Sequence, residues 1–475
     1  MRCTTRSTVN TALRRVALVA GSAVAVVACA GEYEATSPPH CSEPVVLEGS
    51  VVTNPGNVLS AVVHTRVSGA DSVAVRYRLA EQGVDSVTPS LHPERDSAWV
   101  PVLGLLPESS YSLRVIAFSS CGVVIGSEIR LTTGSLPADL PSYTASGSDP
   151  VSGYVVFAAA SYGLAIDNTG RVVWYHRFEN GPGLNFQAQA NGRYVVRPPT
   201  PAATPWIEID PTGDTTRTLG CVGDLAPRFH DLIALPDGSW WVLCDEVRLM
   251  DLTFVGGLAQ HRVIGTAVQH VGAAAELLFS WSPFEHIAIT HLDVEDRAGP
   301  SFNWTHGNAL DLDGDGNLIV SFRNLSQIAA IDTRTGGFLW RLGGSSNEFT
   351  LEQGAASLFT RQHGVRSTGR GGLLVLDNLG EPSGSRAERY QLDVAGRTLR
   401  LTGVFESSPA VTAMVGGTTQ DLPGGHTLVS FGSGGRVEEY DAAGRVAWRL
   451  EGNPGYIFRA QRIASLYKPG VGLPR

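Results

Sequence analysis

Apolar and polar residues alternate along most of this chain in short runs, and each run ends at a turn containing glycine, proline, asparagine or aspartate. A period of two residues is typical of half-buried β-strands, whereas an amphipathic helix repeats about every 3.6 residues. No sustained helical period occurs, and the chain contains 54 glycines and 27 prolines. The pattern predicts an all-β fold.

One hairpin pattern recurs six times after residue 150. Each copy has an apolar strand, an Asp before a glycine-containing turn, and usually an apolar or Trp-bearing return strand. The copies begin at Leu164, Trp206, Arg248, Ile328, Arg389 and Val437. A second hairpin lies beside each copy, so that each unit has four strands. Six such units predict a six-bladed β-propeller over residues 150–475.

Residues 44–134 form a separate pattern of alternating strands that predicts a small β-sandwich. The stretch "LLPESSYSLRVIAFSSCG" resembles the tyrosine-corner region of a fibronectin type III domain, in which Tyr111 would bond the backbone upstream. We interpret this domain as a spacer without chemistry, and residues 135–149 as the linker to the propeller.

The first thirty residues have the features of an export signal. Arginines precede an apolar run that is too short to span a bilayer. "VVAC", ending at Cys29, resembles a bacterial lipobox, in which the cysteine is lipidated; a cleaved secretory signal is the alternative. We expect an exported protein on the periplasmic side of the cell envelope, anchored to the membrane by a lipid, with residues 31–43 as the tether.

Four cysteines remain after Cys29, namely Cys41, Cys121, Cys221 and Cys244. An even number in an oxidising compartment predicts two disulfides, for which three pairings exist. Grouping by domain favours Cys41 with Cys121 and Cys221 with Cys244.

The overall charge argues against nucleic acid as a partner. The chain carries 45 acidic and 36 basic residues, a net charge of -9. It therefore has no basic field that would release counterions from a phosphate backbone.

Three histidines share one position in the second hairpin. His230, His306 and His363 each lie eight residues before a turn glycine. Equivalent positions of a propeller are related by rotation about its axis, so three imidazoles should surround one mouth of the channel if these strands are the innermost ones. The return strand comes back to the same rim, which should place Arg323 near His306, Asp245 near His230 and Asn378 near His363.

Two kinds of chemistry suit this set of residues. Three imidazoles could hold a metal ion, but a nearby guanidinium opposes a divalent cation and suits an oxyanion. Transfer of a sulfuryl or phosphoryl group needs fixed donors for the equatorial oxygens, Arg323 and an imidazolium among them, and an attacking nitrogen.

The segment "FNWTHGNALDLDGDGNLIVSFRNLSQIAAID", with "FTRQHGVR", "LLVLDN" and the upstream "FHDLIALPDGSWWVL", resembles the bacterial arylsulfate sulfotransferase family over residues 140–465. The resemblance implies a six-bladed propeller that moves a sulfuryl group from a phenolic sulfate to a phenol, with no nucleotide donor, cofactor or metal, through a sulfated histidine. It implies that His363 is the nucleophile. It also implies that His230, His306, Asn308 and Arg323 bind the sulfuryl oxygens or serve the phenolic oxygen in proton transfer.

Asn378, beside His363, is a further candidate for substrate binding. The fibronectin-like module and the position of Cys221 and Cys244 depart from the family pattern. The alternative function is a propeller that binds an anionic or aromatic ligand without turning it over. Catalysis requires His230, His306, His363 and Arg323 to converge.

Overall fold

The computed structural model describes residues 42–80, 83, 85–179, 181, 183–197, 204–352, 358–380, 384–451 and 455–472. The predicted signal, Cys29, Cys41 and most of the tether lie outside these residues. Within them the chain is almost entirely β-strand, which confirms the predicted all-β class. None of the helices in the described part is long and apolar enough to cross a membrane.

The N-terminal part contains two sheets that pack over a common core. Their strands are β1 (Val45–Thr53), β2 (Ser60–Ser68), β3 (Ser72–Leu79), β4 (Asp85–Val87), β5 (Ser97–Leu103), β6 (Ser110–Ser119), β7 (Gly122–Ile125) and β8 (Ile129–Thr132). One sheet has the order β1-β2-β5, and the other has the order β4-β3-β6-β7 with β8 also on β6. The Tyr111 hydroxyl accepts a hydrogen bond from the upstream Leu106 N–H at 2.8 Å, as predicted. The fibronectin type stays a prediction.

The second part begins inside the predicted linker. Its first eleven strands are β9 (Thr144–Gly147), β10 (Tyr154–Ala159), β11 (Tyr162–Ile166), β12 (Val172–Arg177), β13 (Asn185–Ala188), β14 (Tyr194–Arg197), β15 (Trp206–Ile209), β16 (Thr215–Leu219), β17 (Ala226–Ala234), β18 (Trp240–Met250) and β19 (His261–Val271). There follow β20 (Leu277–Trp281), β21 (Ser301–Asn303), β22 (Gly307–Leu312), β23 (Leu318–Phe322), β24 (Gln327–Ile331), β25 (Phe338–Gly343), β26 (Thr350–Leu351) and β27 (His363–Gly369). The last strands are β28 (Gly372–Asp377), β29 (Arg386–Asp393), β30 (Thr398–Glu406), β31 (Thr418–Asp421), β32 (Thr427–Ser430), β33 (Val437–Tyr440), β34 (Val446–Glu451) and β35 (Ala460–Ile463).

Helices are few and short in the described residues. They are α1 (Pro283–His286), α2 (Val294–Ala298) and four 3-10 turns at Thr253–Val255, Arg323–Leu325, Gly344–Ser346 and Pro423–Gly425.

These strands form six successive sheets, antiparallel except where β21 and β26 pair in parallel with β19 and β30. The first has the order β12-β11-β10-β35, the second β13-β14-β15-β16, the third β17-β18-β19-β20 with β21 also on β19, the fourth β22-β23-β24-β25, the fifth β27-β28-β29-β30-β26 and the sixth β31-β32-β33-β34-β9. Strand β9 therefore belongs to the last sheet, which corrects the prediction that residues 135–149 are only a linker. Strand β35, which lies near the end of the chain, completes the first sheet by pairing with β10. The first and last strands of this part therefore each pair with a strand from its opposite end.

One edge strand of each sheet faces a common axis. Hydrogen bonds from side chains join every neighbouring pair of these strands. The pairs are Asn185 with His230, Asp231 with Leu310, Asp311 with Ser367, Thr419 with Gly364, Thr418 with Ala460, and Gln461 with Ala188. The six sheets thus form a closed ring, and the six-bladed propeller stays a prediction.

The repeated Asp of the hairpins has a local structural role. At Asp167, Asp210, Asp313 and Asp441, the carboxylate accepts hydrogen bonds from the N–H groups two and four residues later, at 2.8–3.1 Å. A glycine with positive φ follows three residues after each Asp, a conformation that a side chain disfavours. The Asp therefore stabilises the turn and takes no part in chemistry.

The pairing of Cys221 with Cys244 is confirmed. The bridge joins the loop before β17 to β18, with Cα atoms 6.2 Å apart. Cys121 is also disulfide-bonded, but its predicted partner Cys41 lies outside the described residues, so that pairing stays a prediction.

We expect the double variant Cys221→Ala/Cys244→Ala to lose about 2 to 4 kcal/mol of unfolding free energy, because the bridge restricts the unfolded chain. Urea unfolding under oxidising conditions measures the change, and the parent protein treated with a reductant serves as the control. A loss below about 0.5 kcal/mol, the size of an ordinary surface substitution, would contradict this expectation.

Candidate active site

The predicted residues meet at one end of the ring. His230 lies in the inner strand β17, His306 directly precedes the inner strand β22, and His363 begins the inner strand β27. The backbone N–H of Arg323 donates to the carbonyl oxygen of His306 at 3.1 Å. The return strand therefore brings Arg323 back to His306, as the sequence predicted.

Glycine after two of these histidines allows close packing against the neighbouring strands β19 and β31. A Cβ on Gly307 would lie 2.5 Å from Cγ2 of Thr266, and a Cβ on Gly364 would lie 2.5 Å from Cα of Thr418. Gly364 also has a positive φ of 60°. A larger residue at either position would push the preceding histidine away from the rim.

His230 and His306 are in direct contact. Their Nε2 atoms are 3.2 Å apart, and their ring centroids are 4.8 Å apart in an edge-on arrangement. His306 has a positive φ of 47°, a strained conformation for a residue with a side chain. Nδ1 of His306 contacts the carboxamide of Asn303 at 2.9 Å.

A bulge in β17 carries His230. The pairing of β17 with β18 shifts between Pro227 and Leu232, so the residues between them leave the regular ladder. Bulges of this kind redirect side chains, often beside active sites. Here the bulge turns His230 and Asp231 toward the axis, where both are almost completely buried.

Arg228 in this bulge is a site residue that the sequence analysis missed. Its Nε–H donates to Nδ1 of His230 at 3.3 Å, and its Nη1 forms an ion pair with Asp245. The sequence predicted that Asp245 lies near His230. In the structure Arg228 bonds to both residues and so connects them.

The proton position of His363 follows from its neighbours. The side chain of Asn378 donates from Nδ2 to the carbonyl oxygens of Ala413 (2.8 Å) and Gly416 (3.0 Å). Its Oδ1 therefore faces Nδ1 of His363, 2.8 Å away, and accepts the Nδ1–H. The other ring nitrogen, Nε2, carries the lone pair and accepts a hydrogen bond from the Gly416 N–H at 3.2 Å.

Asn308 is buried between the inner strands of the fourth and fifth sheets. Its Nδ2 donates to the carbonyl oxygen of Gln362 at 2.7 Å, while its Oδ1 is buried without a hydrogen-bond partner. A buried acceptor without a partner is costly, and a donor on a bound molecule would satisfy it.

Two arginines beside the histidines have no carboxylate partner. Arg323 and Arg361 both donate to Oδ1 of Asn324, at 3.0 and 2.8 Å. Among the described residues neither forms a salt bridge, and Nε of Arg323 is buried without a partner. Burial, followed by repulsion from Arg361, lowers the pKa of the Arg323 guanidinium. Two adjacent cations without a counterion favour an anionic ligand.

Arg323 and His363 approach the same short segment. The carbonyl oxygen of Met414 accepts from Nη2 of Arg323 at 3.3 Å, and the N–H of Gly416 binds His363. The guanidinium and the imidazole therefore bond to backbone groups that are two residues apart. We name residues 413–417 the strap.

The three imidazoles are neutral at pH 7. Burial is the first cause in each case. Burial and the nearby Arg228 and Arg323 lower the pKa of His306 to about 2. Burial and Arg323 lower the pKa of His363 to about 4, against an opposing bond to Asn378. Burial and Arg228 hold the pKa of His230 well below its ordinary value. The sequence analysis expected an imidazolium among the donors to the transferred group. This expectation is wrong, because the guanidinium groups carry the positive charge of the site.

Aromatic side chains flank the histidines, and the sequence analysis also missed these. Phe229 stacks on His230 with ring centroids 4.0 Å apart. Phe458 lies 5.8 Å from the ring of His230 and 6.4 Å from that of His363, and Tyr456 packs against Phe458. These residues form an apolar wall against which a phenyl ring could lie.

Within the described residues, no group of three or more His, Cys, Asp or Glu side chains is arranged to hold a metal ion. The observed geometry thus defines an all-β ring protein with a neutral-histidine, arginine-lined site that suits an oxyanion.

Residues 224–453 match the family described as arylsulfotransferase (ASST). This segment contains His230, His306, Asn308, Arg323, His363 and Asn378, and its match supports the resemblance to the arylsulfotransferase family that the sequence motifs indicated. The match supports aryl sulfotransferase activity in general and small aryl molecules as substrates. None of the curated proteins matches the chain.

Solved structures similar to this chain are distant. A protein of unknown function from Bacteroides caccae is 14% identical, with a TM-score of 0.43, 65% of this chain covered and 98% of that chain covered. A streptogramin B lyase is 13% identical, with a TM-score of 0.37 and coverages of 70% and 88%. A virginiamycin B lyase from Staphylococcus aureus, solved with quinupristin, is 10% identical, with a TM-score of 0.36 and coverages of 68% and 100%. Likenesses at this level carry no argument about function.

We expect the protein to become less stable as the pH falls from 6.5 toward 4. An unfolded imidazole binds its proton near pH 6.5, whereas folded His363 does so only near about 4. Between these values the unfolded state binds more protons, so the unfolding free energy decreases as the pH falls. The slope is at most about 1.4 kcal/mol per pH unit for each such histidine.

Urea unfolding at a series of pH values measures this slope, and His363→Gln should make it shallower. His291→Gln is the matched control, because the His291 side chain is exposed and bonds only to its neighbour Asp293. An equal slope in His363→Gln and the parent would show that His363 is not held neutral.

Proposed function

We propose that this protein transfers a sulfuryl group from a phenolic sulfate ester to a phenol acceptor, through a sulfated His363 and without a nucleotide or other cofactor. The observation that carries the proposal is the state of His363. Its Nδ1–H is held by Asn378, its Nε2 lone pair points to the strap, and Arg323 binds the same strap two residues away.

In the first half-reaction, Nε2 of His363 attacks sulfur. The N–S bond forms, and the bond between sulfur and the phenolic oxygen breaks with its electron pair leaving on that oxygen. Arg323 donates to the equatorial oxygens, whose charge increases in such a transition state. In the second half-reaction, the oxygen of the acceptor attacks the same sulfur, and the N–S bond breaks.

The two asparagines have different roles in this proposal. Asn378 makes three hydrogen bonds to protein groups, so it positions His363 and does not need to touch the substrate. Asn308 keeps a buried Oδ1 without a partner, which makes it the better candidate for contact with the substrate. His230 and His306 contribute an uncharged imidazole pair, joined through their Nε2 atoms, beside the proposed reaction centre.

The strap has to move before the substrate can bind to Arg323 and His363. In this structure the Met414 carbonyl oxygen accepts a hydrogen bond from the Arg323 guanidinium, and the Gly416 N–H donates one to Nε2 of His363. A sulfuryl oxygen can replace the carbonyl on Arg323, and the freed Gly416 N–H can then donate to a second sulfuryl oxygen. The aromatic wall of Phe229, Tyr456 and Phe458 offers a surface for the phenyl ring.

We also propose that the protein is exported and lipid-anchored through Cys29. Metabolic labelling with a fatty acid should mark the protein, and Cys29→Ala should remove the mark, because only the cysteine at the lipobox can be acylated. Export of an unlabelled chain would point to an ordinary secretory signal.

The mechanism predicts ping-pong kinetics and a trapped intermediate. Incubation with 4-nitrophenyl sulfate and no acceptor should leave one sulfuryl group on the peptide that contains His363, visible by mass spectrometry. His363→Ala should lose both this label and turnover. Arg323→Ala should keep the label but slow transfer by about 10² to 10³, the scale seen when one oxyanion donor is removed.

His291→Ala is the matched control, because it removes an exposed imidazole that bonds only to Asp293, and it should leave label and rate unchanged. Activity of His363→Ala comparable with that of the parent would refute the assigned nucleophile. If no aryl sulfate is consumed, the ring mouth is a binding site without catalysis.

A further inference from the structure

Hydrogen bonds around His230 and His306 leave no free nitrogen on either ring. Arg228 can only donate, so its Nε–H fixes Nδ1 of His230 as an acceptor. The single proton of neutral His230 is then on Nε2 and is donated to Nε2 of His306. His306 in turn carries its proton on Nδ1, facing the carboxamide of Asn303.

The side chain of Asn303 can accept a hydrogen bond from the Nδ1–H of His306. A carboxamide has a donor and an acceptor of equal size, and Oδ1 of Asn303 is otherwise buried without a partner. With that oxygen turned to Nδ1 of His306, all four ring nitrogens are in hydrogen bonds. An additional proton can bind only if one of these bonds breaks.

The surrounding charges act in the same direction. Cations facing the pair are Arg228 of β17, Arg323 and Arg361 of the rim, and Arg459 next to β35, which donates to the carbonyl oxygen of His230 at 3.2 Å. The third imidazole, His363 of β27, is also close to both rings. Asp245 of β18 is paired with Arg228, and Asp231 is paired with Arg366 and Arg459.

We propose that Arg228 is a positioning residue that keeps the His230–His306 pair neutral, so that the site handles its phenols as phenolates and selects sulfates of acidic phenols as donors. The inference rests on the proposed function and specifies its substrate class. A neutral imidazole cannot give up its only proton to a leaving phenolate, whose conjugate acid has a pKa near 10 in an unsubstituted phenol.

The proposed step balances without an acid. The bond from sulfur to oxygen breaks, its electron pair stays on the phenolate, and the guanidinium groups of Arg323 and Arg361 stabilise that charge. Because the second half-reaction reverses the first, the acceptor attacks as a phenolate after losing its proton to water. The released phenolate takes a proton from water according to the pH.

Two measurements test the proposal. Histidine NMR of the whole protein should find His230 and His306 neutral from pH 8 to 5, and Arg228→Met should give at least one of them a titration above pH 5 by freeing Nδ1 of His230. Independently, the rate of the first half-reaction with a series of substituted phenyl sulfates should fall steeply, by roughly fivefold or more per unit of leaving-phenol pKa.

Arg228→Met should flatten that dependence, so that the ratio of the 4-nitrophenyl to the phenyl sulfate rate falls about tenfold. Arg361→Met is the matched variant, since it removes a neighbouring cation but frees no ring nitrogen, and its dependence should stay steep.

Several results would overturn the proposal. These are an imidazolium signal from His230 or His306 in the parent near pH 7, a flat dependence in the parent, and equal flattening in both variants. If the Arg228→Met variant does not fold, the histidine titration and the rate dependence of the parent protein still test the proposal. If no aryl sulfate reacts, the proposed function fails, whereas the histidine titration still reports on Arg228.

Discussion

Side-chain hydrogen bonds between neighbouring inner strands close the ring on which every other feature of this protein depends. Each joins two sheets that are distant in sequence, and the last pair, Gln461 with Ala188, joins the end of the ring to its beginning. Strands β9 and β35 complete the last and first sheets in the same manner. The closed ring holds imidazoles from three separate sheets close together: His230 and His363 both pack against Phe458, and His306 contacts His230.

Burial in this ring determines the charge state of the site. Taking an imidazole out of water disfavours its protonated form, and nearby guanidinium groups disfavour it further. The site therefore combines neutral histidines with arginines that lack carboxylate partners, a combination that receives an anion and leaves a nitrogen lone pair for attack. Asn378 holds the proton of His363 on Nδ1, whereas Arg228 leaves the proton of His230 on Nε2. Chemically identical side chains thus differ in which nitrogen carries the lone pair.

The bulge in β17 and the disulfide explain how Arg228 reaches the rim. Cys244 pairs with Pro227 just before the register shift, and Asp245 pairs with Ala226. The bridge to Cys221 thus holds β18 where Asp245 can bind Arg228. The strap is positioned in a comparable manner, since the Asn378 side chain binds both the strap and His363. The position of the strap and the orientation of His363 are therefore coupled through Asn378.

Much of this arrangement could be predicted from local patterns. Alternation predicted the strands, recurring Asp-containing turns predicted six sheets, and an equal spacing to turn glycines placed His230, His306 and His363 on one rim with Arg323 beside His306. The strand inside residues 135–149, Arg228, the aromatic wall and the strap were not predictable. By itself the sequence determined the period of its strands, the chemistry of its turns and the registers within hairpins, because these depend on neighbouring residues. Only the tertiary structure decided which nitrogen of each histidine holds the proton and how much positive charge surrounds it, because burial and hydrogen bonds from residues far apart in the chain set both.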